Sequence, residues 1–238
     1  MAGVASVTRE ELAAWDEALA RDFIEFLKLL GPVLSDSARL EAGLRALLAM
    51  RPERAAGITR VVGCLDAEGR LRLATEMAEH PSVSVRAEFL RVNAPLRLEV
   101  PGSSPRWLPD EAWDPWLCSG LMGEDPEVRE YAASIAFGLS RGTAVARELI
   151  ACAETGSPAL RWRSLLALGS AEDPASLALL LRTLAGPDEG LAGAAVRALA
   201  ARPDGRNAWQ RALADPRAHV RNSARFAAAV VGREPGAG

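Results

Sequence analysis

Few side chains in this chain could carry catalysis or hold a metal, and their spacing excludes most such chemistry. Histidine occurs twice, as His80 and His219. There is no His-x-x-x-His, no His-Glu pair and no cysteine cluster, so no metal site is predicted. A nucleophile–His–acid triad would have to use one of those two histidines, and no serine or cysteine stands out beside them. His80 is expected to cap a helix and His219 to lie in a turn. The run Gly186-Pro187-Asp188-Glu189-Gly190 forms a turn, with acids where a phosphate would be repelled. Cys64, Cys118 and Cys152 stand far apart, with no Cys-x-x-Cys among them. Each sits among apolar helical residues and is expected as a small core residue, which fits a reducing compartment. No catalytic residue, cofactor or metal is predicted.

Two anomalies remain. Trp107, Trp113 and Trp116 fall within ten residues, half of the six tryptophans in the chain. Tryptophan is a preferred interface anchor, because one side chain covers a large area at low entropy cost. Trp113 and Trp116, three apart, either fill the core or meet a partner, and Trp107 is expected to be the most exposed. The other anomaly is charge. The whole chain is at −3, which predicts no sequence-independent grip on nucleic acid. Yet eight arginines from Arg197 to Arg233 (197, 202, 206, 211, 217, 221, 225 and 233) face only Asp204 and Asp215. That end is either a solvated face with scaffolding arginines or a patch for an acidic partner.

The elements that must position these residues announce themselves through repetition. Asp125-Pro126-Glu127-Val128-Arg129 is a helix start: a capping aspartate, proline in the first turn and an acid at the positive end of the dipole. Behind it, Val128, Ala132, Ile135, Ala136 and Leu139 share one face. Aligned on the arginine, Val85-Arg86, Val128-Arg129, Leu160-Arg161 and Val220-Arg221 match. Leu191-Ala192 keeps the register without the charge, and the steps are 43, 32, 31 and 29 residues. Arg39, followed by Ala42, is an earlier candidate. Three positions after each anchor stand Phe89, Ala132, Ser164, Ala195 and Ala224, small in all but the first. Between copies lie second apolar helices, Thr143 to Glu154, Pro174 to Leu184 and Gly205 to Leu213. A helix pair with this period cannot bury its apolar face alone, and stacked neighbours do so.

The pattern resembles HEAT repeats, particularly the short bacterial type also seen in phycobilisome-lyase-like proteins. Asp215-Pro216-Arg217-Ala218-His219-Val220-Arg221 matches that family's Asp-Pro-x-x-x-Val-Arg turn in full, and His80 to Arg86 matches it with His for Asp. The resemblance is good over residues 120 to 232 and looser over 35 to 95. It implies that Arg86, Arg129, Arg161 and Arg221 either pair with an acid of an adjacent repeat or serve as repeat scaffolding. HEAT-like di-iron hydroxylases rely on His-Glu pairs, whereas this chain has only Glu79-His80, in the reverse order.

The expected fold is therefore all-α: a right-handed α-solenoid of about six HEAT-like helical hairpins, with an N-terminal capping helix and one irregular insert. It is treated as a single array over 1–238. Thr8-Arg9-Glu10-Glu11 forms a capping box opening the capping helix at 8–30, which Gly31-Pro32 stops. Divergent repeats occupy 35–94, with helices from about Asp36 to Met50, Pro52 to Leu65, Asp66 to Glu79 and Pro81 to Val92. The insert covers 95–109, where Leu96 to Val100 alternates like a short extended segment. Asp110 is expected to cap a helix from Glu111 to Met122, regular repeats fill 110–232, and 233–238 is a disordered tail. Apolar residues make up 49% of the chain, enough for a continuous core. Lys28 is the sole lysine, which suggests GC-rich coding and a bacterial source. No leader or membrane span is predicted, so the expected location is the cytoplasm.

Without a catalytic constellation, the array is expected to be a non-enzymatic protein–protein interaction scaffold or adaptor. Its partner, another protein, would lie in a groove of second helices beginning at Val85, Val128, Leu160, Leu191 and Val220. The expected contact residues are Trp107, Trp113, Trp116, Arg86, Arg129, Arg161 and Arg221. The alternative is a HEAT-like DNA-binding protein or DNA glycosylase using the tryptophan cluster and the basic C-terminal end. Trp113, Asp110 or Asp114, and Trp162 would then hold and process the base. The acidic pI of about 5.6 argues against it. Oligomeric state is not legible.

Overall fold

The computed structural model describes residues 7–93, 113–137 and 143–231, and every regular element among them is helical. The chain divides into two compact units, one reaching Asn93 and one running from Trp113. The first holds α1 (Arg9–Arg21), α2 (Phe23–Leu30), α3 (Ser37–Met50), α4 (Ala55–Val61), α5 (Ala67–Ala78) and α6 (Val83–Asn93). The second holds α7 (Asp114–Met122), α8 (Pro126–Ala136), α9 (Thr143–Thr155), α10 (Pro158–Ala167), α11 (Pro174–Ala185), α12 (Glu189–Ala201), α13 (Arg206–Ala212) and α14 (Ala218–Val231).

Polar caps decide where most of these helices begin. Asp125 Oδ1 accepts the Glu127 and Val128 N–H groups at 2.9 and 3.0 Å, and Pro126 follows in the first turn. Asp173 caps α11, Asp188 caps α12 and Ser157 caps α10 in the same manner. Thr8 and Glu11 close the predicted capping box on α1. Each carboxylate or hydroxyl satisfies amides that would otherwise lack a partner.

In the second unit α7 packs on α8, α9 on α10, α11 on α12 and α13 on α14, so four hairpins follow in sequence. The anchor-bearing helices α8, α10, α12 and α14 also pack one against the next, as do α7, α9 and α11. The residues three positions after each anchor, Ala132, Ser164, Ala195 and Ala224, are fully buried, and so is Phe89 in the first unit. All but Phe89 are small, which lets neighbouring helices pack closely. Approach is closest at two glycines. A Cβ on Gly169 would lie 3.0 Å from Ala198 Cα, and one on Gly193 would lie 2.8 Å from both Ser223 Oγ and His219 Nε2. Each position therefore admits no side chain without displacement.

The first unit holds two hairpins, α3–α4 and α5–α6, with α3 against α5 and α4 against α6. This layering corrects the earliest repeat copy. Arg39 lies on α3, in the layer opposite the anchor helix α6, and Ala42 is exposed where the other copies are buried. The capping helix predicted at 8–30 is two helices. Asp22 breaks it: its backbone is extended (φ −155°, ψ 119°) and its carboxylate accepts the Ile24 N–H at 2.8 Å. An aspartate that can cap competes with continuation of the helix it ends. The helix predicted from Pro52 to Leu65 is likewise a 3₁₀ turn at Pro52–Arg54, the short α4, and a second 3₁₀ turn at Val62–Cys64. The helix predicted from Glu111 opens at Asp114, with Pro115 in its first turn. The 95–109 insert, Asp110, Leu139 and the 233–238 tail lie outside the described residues.

Candidate functional site

The anchor arginines bond to backbone carbonyls. Arg129 Nε donates to the Leu121 carbonyl and Arg161 Nε to that of Ala153, both at 3.0 Å. Each thus satisfies the last turn of the preceding helix in its own hairpin. Arg129 also points Nη2 at Cys152 Sγ, 3.5 Å away. Arg86 Nη1 donates to the carbonyls of His80 and Pro81, and Arg221 Nη1 to those of Asp215 and Pro216. Of the two alternatives the resemblance implied, these bonds fit repeat scaffolding, and among the described residues none of the four arginines pairs with an acid of the next repeat. Ion pairs between hairpins occur at other residues, as between Arg163 and Glu130 (3.7 Å) and between Arg182 and Glu154 (2.6 Å).

Both described members of the tryptophan cluster lie inside. Trp113 is 0% and Trp116 6% exposed, with ring centroids 5.6 Å apart at 83°, edge to face. Neither offers a ring face for a partner in this arrangement, and Trp107 lies outside the described residues. Trp15 and Trp209 are buried too, the latter donating Nε1–H to the Ala224 carbonyl at 3.0 Å.

Trp162, in contrast, is half-buried on α10. It lines an open cleft of about 400 Å³ with Pro158, Ala159 and Arg163 of the same helix and with Asp188, Gly190 and Leu191 at the start of α12. Neighbouring polar groups are tied down. Arg163 Nη1 donates to Ser134 Oγ at 2.6 Å, and Ser134 Oγ donates to the Glu130 carbonyl at 2.8 Å. Ser157 Oγ lies 3.3 Å from Glu130 Oε1, and Asp188 Oδ1 accepts the Leu191 N–H at 3.0 Å. The cleft therefore presents an aromatic face with apolar neighbours and a fixed polar rim, the composition of a contact anchor. Sequence reasoning placed Trp162 only in the glycosylase alternative. Its spacing from Pro158 was visible, but nothing local distinguishes a tryptophan facing a cleft from one facing the core.

Four of the eight arginines in the basic C-terminal run, Arg197, Arg202, Arg217 and Arg221, have partners within the unit, while Arg206, Arg211 and Arg225 are exposed. Arg202, 2% exposed, pairs with Asp204 at 2.8 Å and donates to the carbonyls of Leu168, Ala171 and Asp173. Arg217 bonds to Asp215 and to the carbonyls of Leu184 and Gly186. Arg197 sits over the Phe226 ring at 4.7 Å. The Arg202 hydrogen bond holds the Asp204 carboxyl below its ordinary range against the opposing effect of burial, and Arg217 does the same to Asp215.

The remaining chemical candidates are placed as follows. Ser82 N–H donates to His80 Nδ1 at 3.1 Å, just ahead of α6. His219 lies in the first turn of α14, beside Gly193, and not in a turn outside it. Cys152 is buried and Cys118 half-buried, but Cys64 is exposed, because its 3₁₀ turn points it outward instead of into the core. Burial, with Asp114 and Glu148 nearby, pushes the Cys118 thiol up, so it is poorly suited to nucleophilic attack. Among the described residues no three His, Cys, Asp or Glu side chains gather as metal ligands. No described helix is long and apolar enough to cross a membrane.

No curated protein is significantly similar to the chain. Similar solved structures include a designed armadillo repeat protein in complex with a (KR)4 peptide, with TM-score 0.48 and 14% identity over 93% of this chain and 99% of that one. Others are an engineered protein (0.46, 15%, 94% and 97%) and human deoxyhypusine hydroxylase in complex with glycerol (0.42, 17%, 94% and 97%). Residues 115–200 match the family of HEAT repeats. That match runs through α7 to α12, the stretch that carries the Trp162 cleft.

Proposed function

We propose that this chain is a non-enzymatic scaffold that docks another protein, with the cleft around Trp162 as a principal contact. The observation that carries the reading is that Trp162, alone among the described tryptophans, is only half-buried, in a cleft whose apolar walls come from two successive hairpins. Truncating such an anchor typically costs a complex about 2 kcal/mol or more. The test compares proteins retained by the tagged full chain with those retained by Trp162→Ala, after circular dichroism shows equal melting. Partners held by the parent and lost by the variant support the reading; identical recovery removes the cleft from it. Deleting residues 96–106 tests the insert in the same assay, and unchanged recovery leaves the insert without a role.

A nucleic-acid role has less support, because Arg197, Arg202, Arg217 and Arg221 already have partners within the unit. Absence of DNA binding even at ~50 mM salt, where phosphate contacts are strongest, would exclude it.

A further inference from the structure

The run Asp188-Glu189-Gly190-Leu191 opens α12 and supplies one wall of the Trp162 cleft. As the cap of that helix, Asp188 is held in place. Its Oδ1 accepts the Leu191 N–H at 3.0 Å, while Oδ2 has no protein partner among the described residues, and the side chain is exposed. Gly190 keeps the space beside this carboxylate clear. Outside its own helix, a Cβ built there meets one atom within 4 Å, Asp188 Oδ1 at 3.3 Å. The other wall, from α10, brings the Trp162 ring with Pro158 and Ala159.

An occupant that covers this cleft takes Asp188 Oδ2 out of water. It must bring a donor, or a charged acceptor is left unsatisfied at a cost to binding. It must also lay apolar or π surface against Trp162. A cation on an apolar stem meets both demands, since the indole ring attracts the charge and the carboxylate accepts its hydrogens. The surrounding charges agree. Arg163 is balanced by Glu130 at 3.7 Å, and Arg217, which Glu189 helps to hold charged, pairs with Asp215 at 2.9 Å. Asp188 and the exposed Glu189 are in excess, and two carboxylates outweigh the roughly half charge at the positive end of α12. Arginine suits the site better than lysine, because a planar guanidinium stacks on an indole while its fork meets a carboxylate. We infer that the occupant of the Trp162 cleft is an arginine side chain of the partner protein, its guanidinium over the indole and against the Asp188 carboxylate. This rests on the reading of the cleft as a docking site and names what docks there.

The test titrates N-acetyl-arginine methylamide into the full chain and follows the indole N–H resonance of Trp162, identified by its loss in Trp162→Phe. A saturable shift is expected in the millimolar range proper to one side chain. The citrulline counterpart, which keeps the shape without the charge, is expected to bind about tenfold more weakly. Asp188→Asn retains a cap on α12 and removes the charge, so it is expected to weaken arginine binding about tenfold at unchanged melting. Asp188→Ser, also a capping residue, stands in should that variant fold poorly. No shift at Trp162, equal binding of citrulline, or unchanged arginine binding in the Asp188 variants each overturns the inference. The docking reading is judged separately. Partners lost by Trp162→Ala from a chain that binds no arginine overturn this inference and leave docking standing; arginine bound at Trp162 with identical partner recovery supports the arginine site and removes the docking role.

Discussion

In the first unit, residues far apart in sequence are tied by opposite charge. Arg39 meets Glu11 at 2.6 Å, Arg45 meets Glu76, Arg51 and Arg54 share Asp16 at 2.9 Å, and Arg72 holds the buried Glu41 through two nitrogens at 3.0 and 2.7 Å. In the second unit the helices meet through alanine, serine and glycine, and most of the structural arginines bond to backbone carbonyls. The difference teaches why only the second unit repeats clearly in sequence. An arginine that closes its own hairpin has a target at a fixed spacing, whatever side chains stand there, and so recurs in register. An arginine that needs an acid in the next hairpin depends on a particular partner, and the pairs leave no local motif. Small residues at the crossing reinforce the contrast, since each must recur where the next helix approaches.

Substitutions in each unit can break or sharpen this contrast. The largest effect is expected from Arg202→Met, which takes the ion-pair partner from Asp204 and a buried donor from the carbonyls of Leu168 and Ala171. A loss of ~3 kcal/mol is expected by chemical denaturation, chiefly from a buried acceptor left unsatisfied. Hydrogen exchange should show the loss in the second unit; equal loss of protection in the first would mean the two unfold as one. Ala195→Leu, at a fully buried position on α12, should cost about 3 kcal/mol through overpacking, read as a lowered denaturation midpoint. A neutral result would show that the small-residue rule is not what sets this spacing. Glu41→Gln removes the buried charge between Arg72 and Arg45 and should cost about 2 kcal/mol, with faster exchange confined to α3 and α5.

Acid should separate the chemistry further. The Arg54 hydrogen bond holds Asp16 below the ordinary aspartate value of 3.8, burial opposes this, and Arg51 adds to it. Asp204 is held down by Arg202 in the same direction. A carboxyl whose folded value is depressed contributes stability that is fully present above 3.8 and disappears as pH falls through the lower folded value. Denaturation midpoints should therefore fall as pH drops from 3.8 through the lower folded values, and more gently in Arg202→Met than in the parent. The smallest effect is expected from Arg21→Ala, which breaks a largely exposed pair with Glu17. Its midpoint should match the parent's, and a clear loss would mean that surface pairs contribute more here than usual.

Much of the architecture was legible in advance. Asp125-Pro126 and Ser157-Pro158 announce helix starts because a cap and a proline act on neighbouring amides. The residue three after each anchor announces a buried face, and it is small in all copies but Phe89. Asp22 was not read as a break, since an aspartate within an apolar-periodic run is equally a solvated helix residue, and its capping geometry appears only once the chain has turned. The candidate site was less legible. The tryptophan cluster drew attention by density, yet Trp113 and Trp116 turned inward, while the isolated Trp162 lines the cleft. Density in sequence does not report which face of a helix a neighbour will cover.

By itself, the sequence determined that the chain is helical, that it repeats, and where most helices of the second unit begin, because caps, prolines and apolar spacing act over one turn. Tertiary structure decided which arginines meet acids and which meet carbonyls, that half of the C-terminal arginines are used inside the unit, and that Trp162 remains half-exposed in a cleft. Those outcomes depend on which helix face is left over after neighbours pack, a distance relation among residues some thirty apart that no local pattern encodes.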